Sequence, residues 1–172
     1  MRRIAAVLAG IAIFVIVNWT IYARETLLAE GRLVLLELAP VDPRSLMQGD
    51  YMALRFRVAN EAFGPKSLRD GADGRIIVRL DERGVGRFVR HDDGTPLQPQ
   101  ELALRYRIRG GRVKFATNAF FFEEGTAKRY EAARFGEFRV ADTGTMPGMK
   151  RGDMLLTGLR NAALESLHQG NP

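Results

Sequence analysis

Groups that could carry out catalysis are scarce in this chain of 172 residues. It has no cysteine, which excludes a thiolate nucleophile, a thiolate metal site and a disulfide scaffold. Its two histidines, His91 and His168, lie in a charged loop and close to the C-terminus, without the H-E-x-x-H spacing of a zinc site. We therefore expect both histidines to be solvated, and we predict neither a metal nor a cofactor.

Two carboxylate pairs are candidate acid–base groups. Glu123 and Glu124 follow three phenylalanines, an apolar setting that suits general acid catalysis. Alternatively, Glu124 ends a buried strand and stabilises the start of the next helix, where negative charge is favourable. Asp92 and Asp93 precede Gly94 in a short acidic turn that offers too few oxygen ligands for calcium. We favour structural roles for both pairs.

A serine–lysine pair is the sharpest enzymatic alternative. The segment SLMQGDYMAL (45–54) resembles the stretch after the nucleophile in bacterial signal peptidases, where a Gly-Asp turn precedes an apolar strand. Aligned on Gly49-Asp50, however, the nucleophile's position falls on residues without a hydroxyl group. The mechanism also needs a lysine held by burial, whereas Lys114 alternates with apolar residues and should be solvated. A hydrolase with Ser45 and Lys114 as its candidates stays an alternative function.

The same segment carries a family signature. The matching residues of the bacterial GDYXXLXY pattern are Gly49, Asp50, Tyr51, Leu54 and Phe56. Phe56 stands where the family has its last tyrosine, which argues against a role for a hydrogen bond there. The segments DPR (42–44) and FEEGTAKRYEAARFGEFRV (122–140) also resemble that family. The resemblance implies a membrane-anchored protein with a domain outside the cytoplasm, working beside multi-pass membrane proteins and without established chemistry.

The turn at Gly49-Asp50 has two interpretations. In the structural one, which we favour, Gly49 permits a positive φ, Asp50 caps the N–H groups of the turn, and a half-buried strand comes next. In the functional one, the charged rim of the turn is a contact site for a partner or ligand. The candidate residues of this predicted contact site are Asp42, Arg44, Gly49, Asp50, Tyr51 and Glu124.

The N-terminal segment predicts where these groups lie. Residues 4–23 carry no charge, and a helix of these 20 residues spans about 30 Å of hydrocarbon. Trp19 and Tyr22 lie at one end, where amphipathic rings favour the membrane–water boundary. The run is long and lacks a good cleavage site, so we favour an uncleaved anchor over a signal peptide. Arg2 and Arg3 predict a cytoplasmic N-terminus, which puts the remaining chain on the outer side.

The rest of the chain is predicted to be mainly β. Residues 51–59 and 101–109 alternate between apolar and polar side chains, and Gly110-Gly111 predicts a hairpin. Residues 126–134 form the one predicted short helix after the anchor. Seven or eight strands then favour a compact antiparallel barrel or sandwich. The predicted units are an anchor (1–24), a connector (25–31), a β-rich domain (32–161) and a tail (162–172).

Charge gives weaker signals. The formal net charge of +6 comes mostly from scattered arginines, so we predict no nucleic-acid partner. The alternating arginines at positions 55, 57, 105, 107 and 109 form either a solvated sheet face paired with acids, which we favour, or a basic stripe for anionic headgroups or an acidic partner. The run Phe120 to Phe122 is expected in the core, and an exposed member would mark a docking patch.

We therefore predict a single-pass protein of the cytoplasmic membrane with its C-terminal domain outside the cytoplasm. Its predicted partners are the lipid bilayer and another integral membrane protein or envelope component. The leading function is that of a non-catalytic accessory subunit. The alternatives are the hydrolase and a small-ligand carrier, which requires an apolar cavity inside the β domain.

Overall fold

The computed structural model describes residues 2–39, 47–48, 51–64 and 68–167. Helix α1 (Arg2–Glu30) opens the chain and continues through most of the predicted connector. Its apolar side chains before Asn18 are exposed on all sides. The span Ile4–Glu30 is long and apolar enough to cross a membrane, as an anchor or a signal sequence is.

Short antiparallel strands make up most of the chain after α1. They are β1 (Arg32–Glu37), β2 (Met47–Gln48), β3 (Tyr51–Ala53), β4 (Asp73–Leu80), β5 (Gly86–His91), β6 (Glu101–Arg109), β7 (Arg112–Lys114), β8 (Ala119–Phe121), β9 (Phe135–Val140) and β10 (Met154–Arg160). They form sheets of order β1-β9-β10, β2-β3-β8 and β5-β4-β6-β7, and the architecture includes a half-barrel. The predicted fold, an apolar N-terminal helix followed by antiparallel β-structure, is confirmed.

The prediction of a single short helix is wrong. Helix α2 (Arg57–Phe63) occupies the end of the segment predicted as a strand, of which only Tyr51–Ala53 is extended as β3. The predicted burial still holds, because Leu54, Phe56 and Val58 are buried on one side. The chain turns helical after Phe56, where good helix formers follow and Arg57 and Glu61 form an (i, i+4) ion pair at 3.7 Å.

Helix α3 (Ala127–Tyr130) is shorter than the predicted helix at 126–134. The backbone of Arg134 belongs instead to the sheet: its N–H donates to the Arg160 carbonyl at 2.8 Å, and its carbonyl accepts from the Leu38 N–H at 2.8 Å. Pairing on both sides satisfies these groups better than one further helical turn at the surface would. The long-range pairing therefore ends the helix early.

Aromatic rings fill the centre of the core. Phe56, which is 1% exposed, packs edge-on against Phe115 and Phe138 with ring centroids 6.1 and 5.3 Å away. Gly136 makes this possible, since a Cβ there would lie 2.8 Å from Phe56 Cε1. The family's tyrosine position is thus a packing position in this chain, as the loss of the hydroxyl group predicts.

The C-terminal part of α1 is docked on the β domain. Ala23 and Leu27, one helical turn apart, are buried. Arg139 of β9 donates a hydrogen bond to the Gly31 carbonyl at 3.1 Å, just after the helix ends. A Cβ at Gly148, in the loop before β10, would lie 3.1 Å from Trp19 Nε1 and 3.2 Å from the Cβ of Ala23. The body therefore reaches along the helix as far as Trp19.

Candidate functional site

The predicted contact site is described only in part. Its members Asp42, Arg44, Gly49 and Asp50 lie outside the described residues. Tyr51 begins β3 and is the register partner of Phe121, with ring centroids 5.8 Å apart. Glu124 is exposed in the turn after β8. The two described members thus belong to one small sheet, β2-β3-β8, and the turn beside it; we call this sheet the motif sheet.

The motif sheet exposes one large aromatic side chain. Phe120 and Phe122 pack on Tyr130, with ring centroids 5.1 and 5.2 Å away. Phe121 points the other way and is 74% exposed, so the expectation that all three phenylalanines lie in the core is wrong for Phe121. Phe121 and the half-buried Tyr51 together form an exposed aromatic patch, the kind of surface expected of an exposed member of this run.

A second candidate site lies at the foot of α1. A cavity of about 200 Å³, the helix-foot cavity, opens between the helix, strands β6 and β7, and the loop before β10. Its charged lining residues are Arg24, Arg105, Arg107, Lys114 and Asp153. The remaining wall is mainly apolar and includes Leu27, Met149 and Met154.

Most arginines on the outer face of the four-stranded sheet are paired with acids. Arg105 donates to Asp153 at 2.9 Å, and Arg109 lies 3.2 Å from Asp73. Outside this sheet, Arg57 of α2 bonds Glu37 of β1 at 2.8 Å. Of the alternating arginines, Arg57, Arg105 and Arg109 are paired with carboxylates as we expected, whereas among the described residues Arg55 and Arg107 have no such partner, and Arg57 lies on a helix and not on a sheet face.

Glu101 is the buried acid of this face. It is 5% exposed and accepts hydrogen bonds from Arg90 at 2.8 Å and from Arg79 at 3.2 Å. The hydrogen bond from Arg90, helped by the Gln98 N–H, lowers the pKa of Glu101 below its ordinary value of 4.5. A charged Glu101 therefore neutralises two arginines at this end of the sheet.

The helix-foot cavity lacks such compensation. Among the described residues, no carboxylate forms an ion pair with Arg24, Arg107 or Lys114. Arg107 and Lys114 are also register partners on β6 and β7, so their side chains share one face. Like charges at directly opposed positions destabilise a sheet. The cavity thus gathers cations that the described part of the protein does not neutralise.

The family model described as GDYXXLXY protein matches residues 13–147. This chain belongs to the GDYXXLXY family. No curated protein and no solved structure matches it. The matched region runs from within α1 to the loop before β10, so it includes the motif sheet and the hydrophobic core around Phe56.

The enzymatic candidates of this GDYXXLXY protein are only partly described. Ser45 lies outside the described residues, and Lys114 is exposed, as predicted from its alternation. Within the part of the chain that the structure describes, no three histidine, aspartate or glutamate side chains are grouped to hold a metal ion. Glu123 and Glu124 are both exposed.

His91 differs from the expectation of a loop residue. It ends β5, and its Nε2 lies 3.0 Å from the Ala62 carbonyl oxygen of α2. Its ring packs edge-on against Phe63 and Phe88, with centroids 5.1 and 5.6 Å away. The side chain is exposed but partnered, and it links α2 to the four-stranded sheet. Its sequence neighbours gave no signal for this long-range contact.

Proposed function

We propose that this GDYXXLXY protein is a membrane-anchored, non-catalytic accessory protein whose β domain lies outside the cytoplasm. The observation that carries the proposal is the exposed apolar surface of α1 before Asn18. Such a surface is unfavourable in water and suits the hydrocarbon of a bilayer. Arg2 and Arg3 support a cytoplasmic N-terminus.

Retention of the helix is supported by its contacts with the β domain. Ala23 and Leu27 are buried on the body, and Trp19 lies against the loop at Gly148. Cleavage near residue 24 would remove Ala23 and Trp19 and uncover the apolar surface beneath them. A signal peptide has no need of such packing, so the contacts favour an anchor that stays.

The partner we propose is another integral membrane protein, bound through the motif sheet. Phe121 and Tyr51 offer aromatic surface of the kind that is enriched at protein interfaces. Both residues belong to the sheet that carries part of the family signature, whose last position, Phe56, is taken up by core packing. The exposed ring of Phe121 therefore makes this side of the motif sheet the surface that meets a partner.

Site-specific crosslinking in intact membranes tests this proposal. A photoreactive phenylalanine analogue replaces Phe121, and in a matched control it replaces Val89, an apolar residue of β5 that is 37% exposed. We expect position 121 to crosslink to one integral membrane protein and position 89 not to do so. Equal labelling at both positions would overturn the partner assignment.

The anchor has a separate test. Full-length protein should stay in the membrane fraction after carbonate extraction, and sequencing should find the N-terminus intact. A soluble mature form that begins near residue 24 would refute the anchored state.

The other functions receive less support. A hydrolase of the serine–lysine type needs a buried lysine, whereas Lys114 is exposed. A small-ligand carrier needs an apolar interior cavity, whereas Phe56, Phe115 and Phe138 occupy the centre of the core. The helix-foot cavity is smaller than the roughly 300–1,000 Å³ of typical small-molecule sites.

A further inference from the structure

The helix-foot cavity lies at the level of the lipid headgroups if α1 is the anchor proposed above. Arg24, in its wall, is the first charged residue after the uncharged run of residues 4–23. Trp19 and Tyr22 lie just before it, with ring centroids 6.4 Å apart, and such rings favour the membrane–water boundary. The loop at Gly148, beside the cavity residue Met149, touches the helix at the same level.

The cavity carries positive charge that would favour a bound anion. Arg24, Arg107 and Lys114 are unpaired within the described chain, and the last two are opposed on neighbouring strands. On the adjacent strand pair of the same face, the cavity residue Arg105 faces Arg75 in the same way, but Asp153 and Asp92 neutralise them at 2.9 and 2.6 Å. The comparison indicates that Arg107 and Lys114 lack a negative charge that the described residues do not supply.

The wall of the cavity is held firmly in place. The Arg105 N–H donates to the Gly152 carbonyl at 2.9 Å, and the Gly152 N–H donates to the Ala141 carbonyl at 2.7 Å. Asp153, the next residue, then holds the Arg105 guanidinium at 2.9 Å. Arg105 is therefore occupied as part of the wall, and the remaining cations of the cavity keep their donors free.

Size and polarity limit the ligand. A volume of about 200 Å³ admits a phosphate with a short polar attachment. The wall also contains Leu27 and Met154, which suit the apolar part of a molecule that continues into the bilayer. Arginine and lysine are the side chains that most often bind phosphate oxygens, arginine through paired hydrogen bonds.

We propose that the helix-foot cavity binds the phosphate of an anionic phospholipid headgroup in the outer leaflet, with Arg24, Arg107 and Lys114 as its ligands. The lipid phosphate neutralises the opposed pair on β6 and β7. It also fixes the depth of the β domain relative to the bilayer, since Arg24 belongs to the helix and the other two cations belong to the body.

Lipid titration of the full chain tests the proposal. Purified protein in neutral detergent is titrated with phosphatidylglycerol or with phosphatidylcholine, and bound lipid is counted by native mass spectrometry. We expect one phosphatidylglycerol to bind at least about tenfold more tightly than phosphatidylcholine. Neutralising Arg107 and Lys114 together (R107Q and K114Q) should weaken phosphatidylglycerol binding by about tenfold or more.

The neighbouring register pair is the matched control. Arg109 and Arg112 oppose each other on the same two strands and lie outside the cavity lining. The double variant R109Q and R112Q removes the same charge and should bind phosphatidylglycerol like the unmodified protein. An equal loss in both double variants would mean general surface attraction and would overturn the proposal.

Inorganic phosphate separates the two sources of the anion. If millimolar phosphate displaced the lipid as completely as excess phosphatidylglycerol does, the site would be one for free phosphate, and the lipid assignment would fail. The measurement is made in detergent and does not involve Phe121. Failure here therefore leaves the crosslinking result at Phe121, and the accessory function, standing by themselves.

Discussion

The inner and outer faces of the four-stranded sheet are stabilised by different forces. On the inner face, Ile76 faces Leu104 and Val78 faces Leu102, and all four are fully or almost fully buried. On the outer face, the same strands carry arginines that are held by carboxylates. The inner face is closed by apolar packing, whereas the outer face depends on the supply of negative charge.

A second contrast exists between the two ends of the outer face. At Glu101, one carboxylate serves Arg79 and Arg90, and the cluster is complete. At the helix foot, Arg107 and Lys114 oppose each other, and no carboxylate among the described residues forms an ion pair with either, since Asp153 is paired with Arg105. Neighbouring cations are therefore neutralised internally at one end of the sheet and open to an external anion at the other.

The largest loss of stability is expected for a substitution on the inner face. Leu104→Ala removes a fully buried side chain and leaves a cavity, so we expect a decrease of about 2–5 kcal/mol in the free energy of unfolding. Chemical denaturation followed by circular dichroism measures it. A decrease below about 1 kcal/mol would show that the inner face is less tightly packed than its burial indicates.

The next largest loss of stability is expected for a substitution in the loop that covers the outer face. Gly152 has a φ of +86°, and a Cβ there would lie 3.0 Å from the Arg105 backbone nitrogen and 3.1 Å from the Ala103 oxygen. We expect Gly152→Ala to cost about 1–3 kcal/mol of unfolding free energy. Gly144→Ala, in the same loop and with no atom within 4 Å, is the control and should stay within about 0.5 kcal/mol. Equal effects would contradict this assignment.

The Glu101 cluster predicts a smaller, pH-dependent effect. Because its folded pKa is below the ordinary 4.5, the charged carboxylate stabilises the fold above that value, and this contribution is lost as the pH falls through the folded pKa. Glu101→Gln should therefore lower the melting temperature at about pH 7, and the difference should shrink towards about pH 3.5. A difference that is independent of pH would refute a role for the charge.

The smallest effect on stability is expected for a substitution at the helix foot, where Lys114 has no paired carboxylate among the described residues. Lys114 is exposed and faces another cation, so Lys114→Gln should change the unfolding free energy by no more than about 0.5 kcal/mol, or raise it slightly. The same denaturation assay measures it in lipid-free detergent. A loss above about 1 kcal/mol would mean that Lys114 has an internal partner and would remove the contrast with Glu101.

Local patterns predict the strands well where the pattern is complete. The alternation at residues 101–109 coincides with β6, and Gly110-Gly111 forms the turn to β7. The alternation at 51–59 correctly predicts which side chains are buried, but it wrongly predicts a strand over the whole segment. An apolar residue at every second position also fits a strand that turns into a helix. Helix α3 ends early for a reason that local sequence does not contain, the pairing of Arg134 with β10 and the end of β1.

The candidate sites depend even more on long-range placement. The exposure of Phe121 follows from the alternation of a strand, so a two-residue period through Phe120 and Phe122 is enough to predict it. The helix-foot cavity has no such signal. The predicted hairpin at Gly110-Gly111 accounts for the pairing of Arg107 with Lys114, but Arg24 is far away in sequence, and only the docking of α1 beside β6 and β7 brings it to them.

The joint between α1 and the β domain has a mechanical consequence. Ala23 and Leu27 are buried on the body, and Arg139 holds the Gly31 carbonyl, so the helix meets the domain without a slack linker. A helix that tilts to match bilayer thickness turns whatever is rigidly attached to it. If α1 is the membrane anchor proposed above, a change in bilayer thickness that alters the tilt of α1 would therefore also change the orientation of the attached β domain.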